Sequence, residues 1–358
     1  MREALTFDDV LLVPQYSDVL PQDTCLASSI SGSLPLTIPI LSAAMDSVTE
    51  LSMARAMTVA GGLGIVHKNM DTSAQVSIVK QIKSQSSSLV VGGAVGIGQE
   101  GLERADALVE VGIDALVVDT AHGHSKLVLD TALTIKKNYP SVTLIVGNIV
   151  SRAAALCLAE IGVDAVKVGI GPGSICTTRI ISGVGLPQLT AVIDVSEALR
   201  DSSVRVIADG GMRYSGDIVK ALAAGAHCVM LGSMLAGTDE TPGEVVRINE
   251  QAYKTYRGMG SLGAMKRGSA ERYFQKNNAK KFVPEGVEGL VPYKGSLDDV
   301  LYQILGGIRS GMGYLGAHNL EELRQNAVFA RITHSGRAES HIHNLQHIQH
   351  APNYLISK

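Results

Sequence analysis

Eight short apolar, β-branched runs recur along the chain: IPILSA (38–43), LGIVH (63–67), LVVGGAV (89–95), DALVVDT (114–120), VTLIVGN (142–148), VDAVKVG (163–169), VRVIADGG (204–211) and HCVMLGS (227–233). Between them lie segments with apolar residues at helical spacing, such as GLERADALVEVG, SRAAALCLAEIG and SGDIVKALAAGA, each closing on glycine as a helix C-terminus does. Strands that are apolar throughout, instead of alternating, predict a parallel sheet covered on both faces. Eight such βα units within roughly 200 residues predict a closed (β/α)8 TIM barrel in preference to an open doubly wound sheet.

One interval breaks the rhythm. The sixth and seventh runs start at 163 and 204, 41 residues apart, where the other intervals are 21 to 28. The surplus holds GIGPGSICTTRIISGVGLPQ (169–188), which the barrel topology puts at the C-terminal mouth, where such folds keep their chemistry. Residues 234–295 are rich in Gly, Lys and Arg and follow the last strand, so they are expected to fold over the mouth as a flap. SLDDVLYQILGGIRSGM (296–312) predicts a final helix that completes the barrel, followed from Ala327 by a tail with five of the ten histidines.

Composition narrows the function. The 358 residues are 46% hydrophobic and 18% charged with a net charge of −3 and no long basic block, so nucleic acid and acidic membrane surfaces are not expected partners. Small-molecule chemistry in one barrel domain spanning 1–358 is the expectation. Cys25, Cys157, Cys176 and Cys228 form no C-x-x-C pair, the N-terminus lacks a basic and then apolar leader pattern, and no apolar run reaches about 18 residues. Reduced thiols and a cytoplasmic location are expected.

Phosphate is often held in these barrels by the loops after strands seven and eight. ADGGMR (208–213) and MLGSM (230–234) fall there: Gly210, Gly211 and Gly232 allow close backbone approach, and Ser233 and Ser174 add hydroxyl donors. GIGPGS is not a dinucleotide fingerprint, because CTTRIISGVG intervenes before any helical pattern. Glycine carbonyls in so tight a loop are instead candidates to face a monovalent cation. Cys176, beside Thr178 and Arg179, has the surroundings of a reactive thiolate, whereas Cys157 and Cys228 sit in apolar helix and strand patterns and read as inert. A Cys–His pairing would draw on His122 or His124. The tail histidines His341, His343, His347 and His350 lack a carboxylate-backed helical pair, which favours a solvated or subunit-contacting tail over a metal site.

These motifs, together with LTFDDVLLVP, LSAAMDSVTE, GGLGIVHKNM, VVDTAHGHS, YRGMGS, ERYF, EGVEG and AESHIHNL, resemble the bacterial IMP dehydrogenases almost end to end. That family carries a pair of CBS regulatory modules after the second strand. Here the second strand and its helix run almost directly into the third through SQSSS (84–88), so the resemblance implies that the pair is absent. It also implies that Cys176 adds to the purine of IMP and passes a hydride to NAD+. Thr178, Arg272, Tyr273 and Glu285 would then complete hydrolysis to XMP. IMP would be held by Ser174, Asp209, Gly210, Gly211, Gly232, Ser233, Tyr256, Gly258, Met259, Gly260 and Glu285. NAD+ would contact Asp119, Ala121, His122, Asn148, Gly169 and Gly171, with Tyr314 of a neighbouring subunit at the adenosine half. K+ would lie among carbonyls of Gly171, Gly173 and Cys176 plus Glu339, Ser340 and His341 of a neighbour, within a homotetramer. GMP reductase, which shares the cysteine and phosphate loops, is the alternative; ERYF, PEGVEG and YRGMGS stand against it.

Overall fold

The protein is described by a computed structural model covering all residues except 277–278, 348, 350 and 355–358. An edge strand β1 (Val10–Leu12) and a hairpin of β2 (Ser28–Ser31) and β3 (Leu34–Leu36) come first. Eight strands follow: β4 (Ile40–Ser42), β5 (Leu63–Val66), β6 (Gly92–Val95), β7 (Ala115–Asp119), β8 (Thr143–Ile149), β9 (Ala165–Val168), β10 (Arg205–Asp209) and β11 (Cys228–Leu231). They are parallel throughout and close on themselves, with β11 pairing back to β4. This is the expected (β/α)8 barrel, with a strand in each of the eight apolar runs. Helices α1 (Leu51–Val59), α2 (Thr72–Gln85), α3 (Gly98–Glu110), α4 (Lys126–Asn138), α5 (Arg152–Ile161), α6 (Thr178–Ile181), α7 (Gln188–Ala198) and α8 (Ser215–Ala223) alternate with the strands. The four-residue α6 starts inside the stretch read as free of helix, two residues after Cys176. It is too short and too late to restore a dinucleotide fingerprint.

The unbroken apolar runs serve two cores. Leu63, Ile65, Ala115, Val117 and Ile145 point into the barrel, while Val66, Leu116, Val118, Leu144 and Val146 face the helix layer. The β2–β3 hairpin plugs the N-terminal end: Ile30, Leu34 and Leu36 join the interior cluster. Ser28 Oγ donates to the carbonyl of His227, which precedes β11, at 2.6 Å, and Ser31 Oγ meets Thr143 Oγ1 at the start of β8 at 2.8 Å. With that end closed, the C-terminal mouth is left for ligands.

His227 is part of this closed end, accepting the Val206 N–H at Nδ1 over 3.1 Å. Burial, with Arg324 and Arg205 adding repulsion, lowers its pKa from 6.5 to about 3. The unfolded chain therefore binds a proton that the folded protein does not, and stability falls as pH drops from the ordinary histidine value towards about 3. Thermal unfolding midpoints should decline across that window, and His227→Gln, which keeps an acceptor but cannot titrate, should flatten the decline. An unchanged slope in the variant would contradict this origin.

The flap region adds a three-stranded antiparallel sheet that the periodicity did not reveal: β12 (Val246–Ile248), β13 (Gln251–Arg257) and β14 (Glu288–Pro292). Between β13 and β14 lie α9 (Leu262–Lys266) and a 3-10 turn, Ser269–Tyr273. The final helix α10 (Leu297–Tyr314) packs on α8 as expected. After it come α11 (Leu320–Asn326), strand β15 (Phe329–Arg331), which pairs with β1, and α12 (His334–Glu339). Among the described residues no helix is long and apolar enough to cross a membrane.

Candidate active site

At the mouth, a cavity of about 280 Å³ is lined by the loops after β7 to β11 and by the flap. Cys176 lies on its wall, in the loop after β9, and its thiol donates to Thr178 Oγ1 at 3.2 Å. The loop is fixed by its neighbours. Val287 N–H donates to Ile175 O and Thr177 N–H to Glu285 O, both at 2.9 Å, and Cys176 forms an antiparallel bridge with Gly286. Glu285 N–H in turn donates to Gly260 O at 3.0 Å. Arg179 is a brace, donating to the carbonyls of Ile170 (3.1 Å) and Leu186 (2.6 Å).

The glycines expected to bind substrate divide into two groups. Gly210, Gly211 and Gly232 line the cavity with Ser174, Ser233, Tyr256 and Met259. Gly258 and Gly260 are not in the wall but behind it. A Cβ on Gly258 would lie 2.8 Å from Ile175 Cδ1, and one on Gly260 2.7 Å from Tyr273 Cζ and 3.0 Å from the Glu285 carbonyl carbon. Backbone-to-backbone packing of the cysteine loop, 258–260 and 285–287 is what these positions require. Gly260→Ala should push the Tyr273 ring and the 285–287 segment off the cysteine loop, cutting turnover at least about 10-fold and costing roughly 1–3 kcal/mol of stability. Steady-state rates and denaturant melts check this, and full activity would contradict it.

Two groups lie under the glycine end: Tyr256, which was expected there, and Lys294, which was not. Lys294 donates to the carbonyls of Ser233 (2.8 Å) and Met234 (2.9 Å), placing a cation beneath the MLGSM loop, and burial lowers its pKa to about 8. Tyr256 lies 3.8 Å from Met45 Sδ, and burial raises its phenol well above the ordinary value, with a hydrogen bond to Ser174 opposing. It stays a neutral donor at neutral pH.

The floor is a charged network. Lys167, buried in β9, reaches Asp119 Oδ1 at 3.0 Å and Asp209 Oδ2 at 2.7 Å and also donates to Asn148 Oδ1. Asn148 Nδ2 donates to Gly169 O (2.7 Å) and Asp209 Oδ2 (2.9 Å). The flap delivers Arg272 onto the other side of Asp119 as an ion pair, and Ala121 N–H donates to Arg272 O at 2.9 Å. Burial lowers the Arg272 pKa, with Tyr273 opposing, and the Asp119 carboxylate lies against the guanidinium. Burial also raises the Tyr273 phenol; Cys176 and Glu285 push the same way and Arg272 the other, which places Tyr273 within electrostatic reach of the thiol. Lys167 carried a signal: a lone cation at an otherwise apolar position of VDAVKVG has to be paired.

Other expected residues are elsewhere. The Cys–His pairing does not form: no histidine lines the cavity, and His122 is exposed, its pKa lowered by burial and by nearby His124. Tyr314 is exposed at the end of α10, outside the cavity. Gly171, Gly173 and Cys176 are together in the wall, and Gly173 O already accepts the Cys176 N–H at 3.1 Å. Glu339, Ser340 and His341 lie away from them in this chain. His341 Nδ1 bonds Tyr354 Oη at 2.8 Å beside Tyr214, and Arg337 pairs with Asp8 at 2.7 Å. His350 lies outside the described residues. Among the described residues no cluster of three or more His, Cys, Asp or Glu could hold a metal ion. All four cysteines are free, and Cys228 is buried with its pKa raised to about 12, which makes it inert.

Fold and site together define a (β/α)8-barrel enzyme with a cysteine in its mouth and a flap seated over it. The comparisons make this specific: the chain belongs to the IMP dehydrogenase / GMP reductase family, whose domain profile matches residues 4–343. It is similar to the inosine-5′-monophosphate dehydrogenase of Aquifex aeolicus (strain VF5), 42% identical with 99% of this chain and 98% of the relative covered. It is also similar to that of Staphylococcus aureus (strain Mu50 / ATCC 700699), 40% identical with 99% and 98% covered. These alignments span 483 and 479 residues, against 358 in this chain.

Proposed function

We propose that this protein oxidises IMP to XMP with NAD+, through a covalent bond between Cys176 and the purine. The observation that carries the reading is the coincidence of two seats. Asp119 and Ala121, which the family resemblance gives to NAD+, are the groups that receive Arg272 of the flap. Cofactor and flap would then take turns on one patch, which suits a reaction with a hydride step followed by a water step.

The lining groups suit IMP, and opening the flap would make room for NAD+ beside it. Asp119, Asn148 and Gly169 are wall groups, of which flap opening would free Asp119, and bound there NAD+ would supply a hydride acceptor. IMP would lie with its phosphate at Ser174, Gly210, Gly211, Gly232 and Ser233, near the Lys294 charge, and its ribose at Asp209. The Cys176 sulfur adds to C2 of the purine, its proton leaving along the Thr178 hydroxyl. Loss of the C2 hydrogen as hydride leaves a thioimidate. Water then attacks C2, the C–S bond breaks, and XMP and the thiol are released. Arg272 with Tyr273 orients that water on the closed flap, and Thr178 with Glu285 is a second proton route.

GMP reductase is the reading to separate, since the family profile spans both activities. Purified protein should form NADH from NAD+ in the presence of IMP and should not consume NADPH with GMP. The opposite pattern would overturn the proposal.

The extra length of the relatives belongs, in this reading, to a CBS pair inserted after α2, with 84–88 as the join. K+ would rest on the carbonyls of Gly171, Gly173 and Cys176. Only this half of the expected ligand set is on one chain's cavity wall, so Glu339, Ser340 and His341 would arrive from the next subunit of a cyclic tetramer. Deleting 336–358 should then abolish K+ activation and the tetramer together, measured as turnover in K+ against Na+ and by light scattering. A truncated monomer still activated by K+ would refute subunit-shared sites.

A further inference from the structure

Arg272 has a neighbour with a different destination. In a 3-10 turn successive side chains diverge by about 120°, so while Arg272 points inward to Asp119, Glu271 points out to the barrel rim. Its carboxylate fits a notch at the end of β6, where a Cβ on Gly96 would lie 3.1 and 3.2 Å from the two oxygens. Lys68, in the loop after β5, donates to Glu271 Oε2 at 3.2 Å, with side-chain exposures of 11% and 30% for the two partners. Arg104 on α3 adds a second cation toward Glu271 and is itself held by Gln75 Oε1 at 2.8 Å and Met70 O at 2.9 Å. Burial works against the Lys68 charge and Glu271 is the main group supporting it.

The pair spans flap and barrel, beside a cleft of about 780 Å³ that also contains Arg267 and Gly268 of the flap and Asp71, Glu100 and Glu103 of the barrel. Because the barrel side is rigid, with Gln75 Nε2 bonded to Val66 O at 3.1 Å and Ala94 O at 3.0 Å, the ion pair holds the turn that carries Arg272.

We propose that Lys68 and Glu271 form the latch of the flap, and that Lys68 is a positioning residue that sets how long Arg272 stays seated on Asp119. The functional part of this rests on the reaction proposed above. The mechanical part does not. Losing the latch leaves the hydride step alone, since the flap is then open, and slows the water step. It also lets NAD+ return more easily to the shared patch.

The test uses Lys68→Met and Glu271→Gln in the full chain. In the ligand-free protein, trypsin should cut the exposed flap lysines Lys276, Lys280 and Lys281 roughly 5- to 10-fold faster in each single variant, the scale of losing a part-buried ion pair. A parental cleavage rate in both single variants overturns the latch, whatever the protein catalyses. In turnover, the single variants should keep the NADH burst, lose a similar factor in steady-state rate, accumulate nucleotide on Cys176 by intact mass, and be inhibited by lower NAD+. An unchanged steady state beside faster flap cleavage overturns the positioning role. Absence of a burst in the parent itself refutes the proposed reaction, and the cleavage rates still decide the latch.

Discussion

Cys176→Ala is expected to lower XMP formation by roughly 10³-fold or more, the usual scale for removing a nucleophile, while IMP still binds. The thiol is the one nucleophilic sulfur in the cavity wall, and its loop is held by backbone bonds to 285–287 that do not involve the side chain. The residues expected to hold phosphate and ribose lie on other strands: Gly210 and Gly211 after β10, Gly232 and Ser233 after β11, and Asp209 at the end of β10. Truncating the thiol therefore removes chemistry and leaves the binding surface in place. Calorimetric titration with IMP should return an affinity within a few-fold of the parent, alongside negligible turnover. Activity above a few per cent would show that bond formation to sulfur is not on the path.

Arg272→Ala is expected to preserve the first-turnover burst of NADH and to slow the steady state by about 10²- to 10³-fold, the range of a lost proton-transfer or water-orienting group. The separation follows from where Arg272 lies. With the flap seated it pairs with Asp119 and its carbonyl accepts the Ala121 N–H, and on the proposed reaction the cofactor would need those same groups, so Arg272 would act after the hydride step. Rapid quench with intact-mass detection should show the Cys176 adduct building up. Equal losses in burst and steady state would place Arg272 in both steps and remove the alternation of flap and cofactor.

The barrel was readable from sequence because its strands are buried on two faces and its helices on one, which writes distinct periods into the chain. The flap sheet was not. Two of its three strands, Val246–Ile248 and Glu288–Pro292, are short and largely exposed, too brief to show a period. Cys176 stood out by chemistry, as a thiol in a glycine-rich loop, and Asp119 and Asn148 became candidates through the family resemblance. Lys294 was invisible, because what ties it to the site is the position of two carbonyls 61 and 60 residues away in the chain. Gly258 and Gly260 were found but given contact roles; their constraint is the close approach of three backbone segments, which only coordinates reveal. In the tail, His341 rests on Tyr214 and Tyr354 within one chain, and the cation role expected of 339–341 would need a second subunit.

The central claim is that oxidation of IMP passes through a bond to Cys176, and one single-turnover experiment addresses it directly. Enzyme in excess of IMP is mixed with NAD+, quenched in acid during the burst, and digested, with NADH quantified in the same sample. The account predicts a nucleotide adduct on the peptide containing Cys176, appearing with NADH and decaying as XMP forms. NADH and XMP produced together, with that peptide unmodified at every time point, would contradict it.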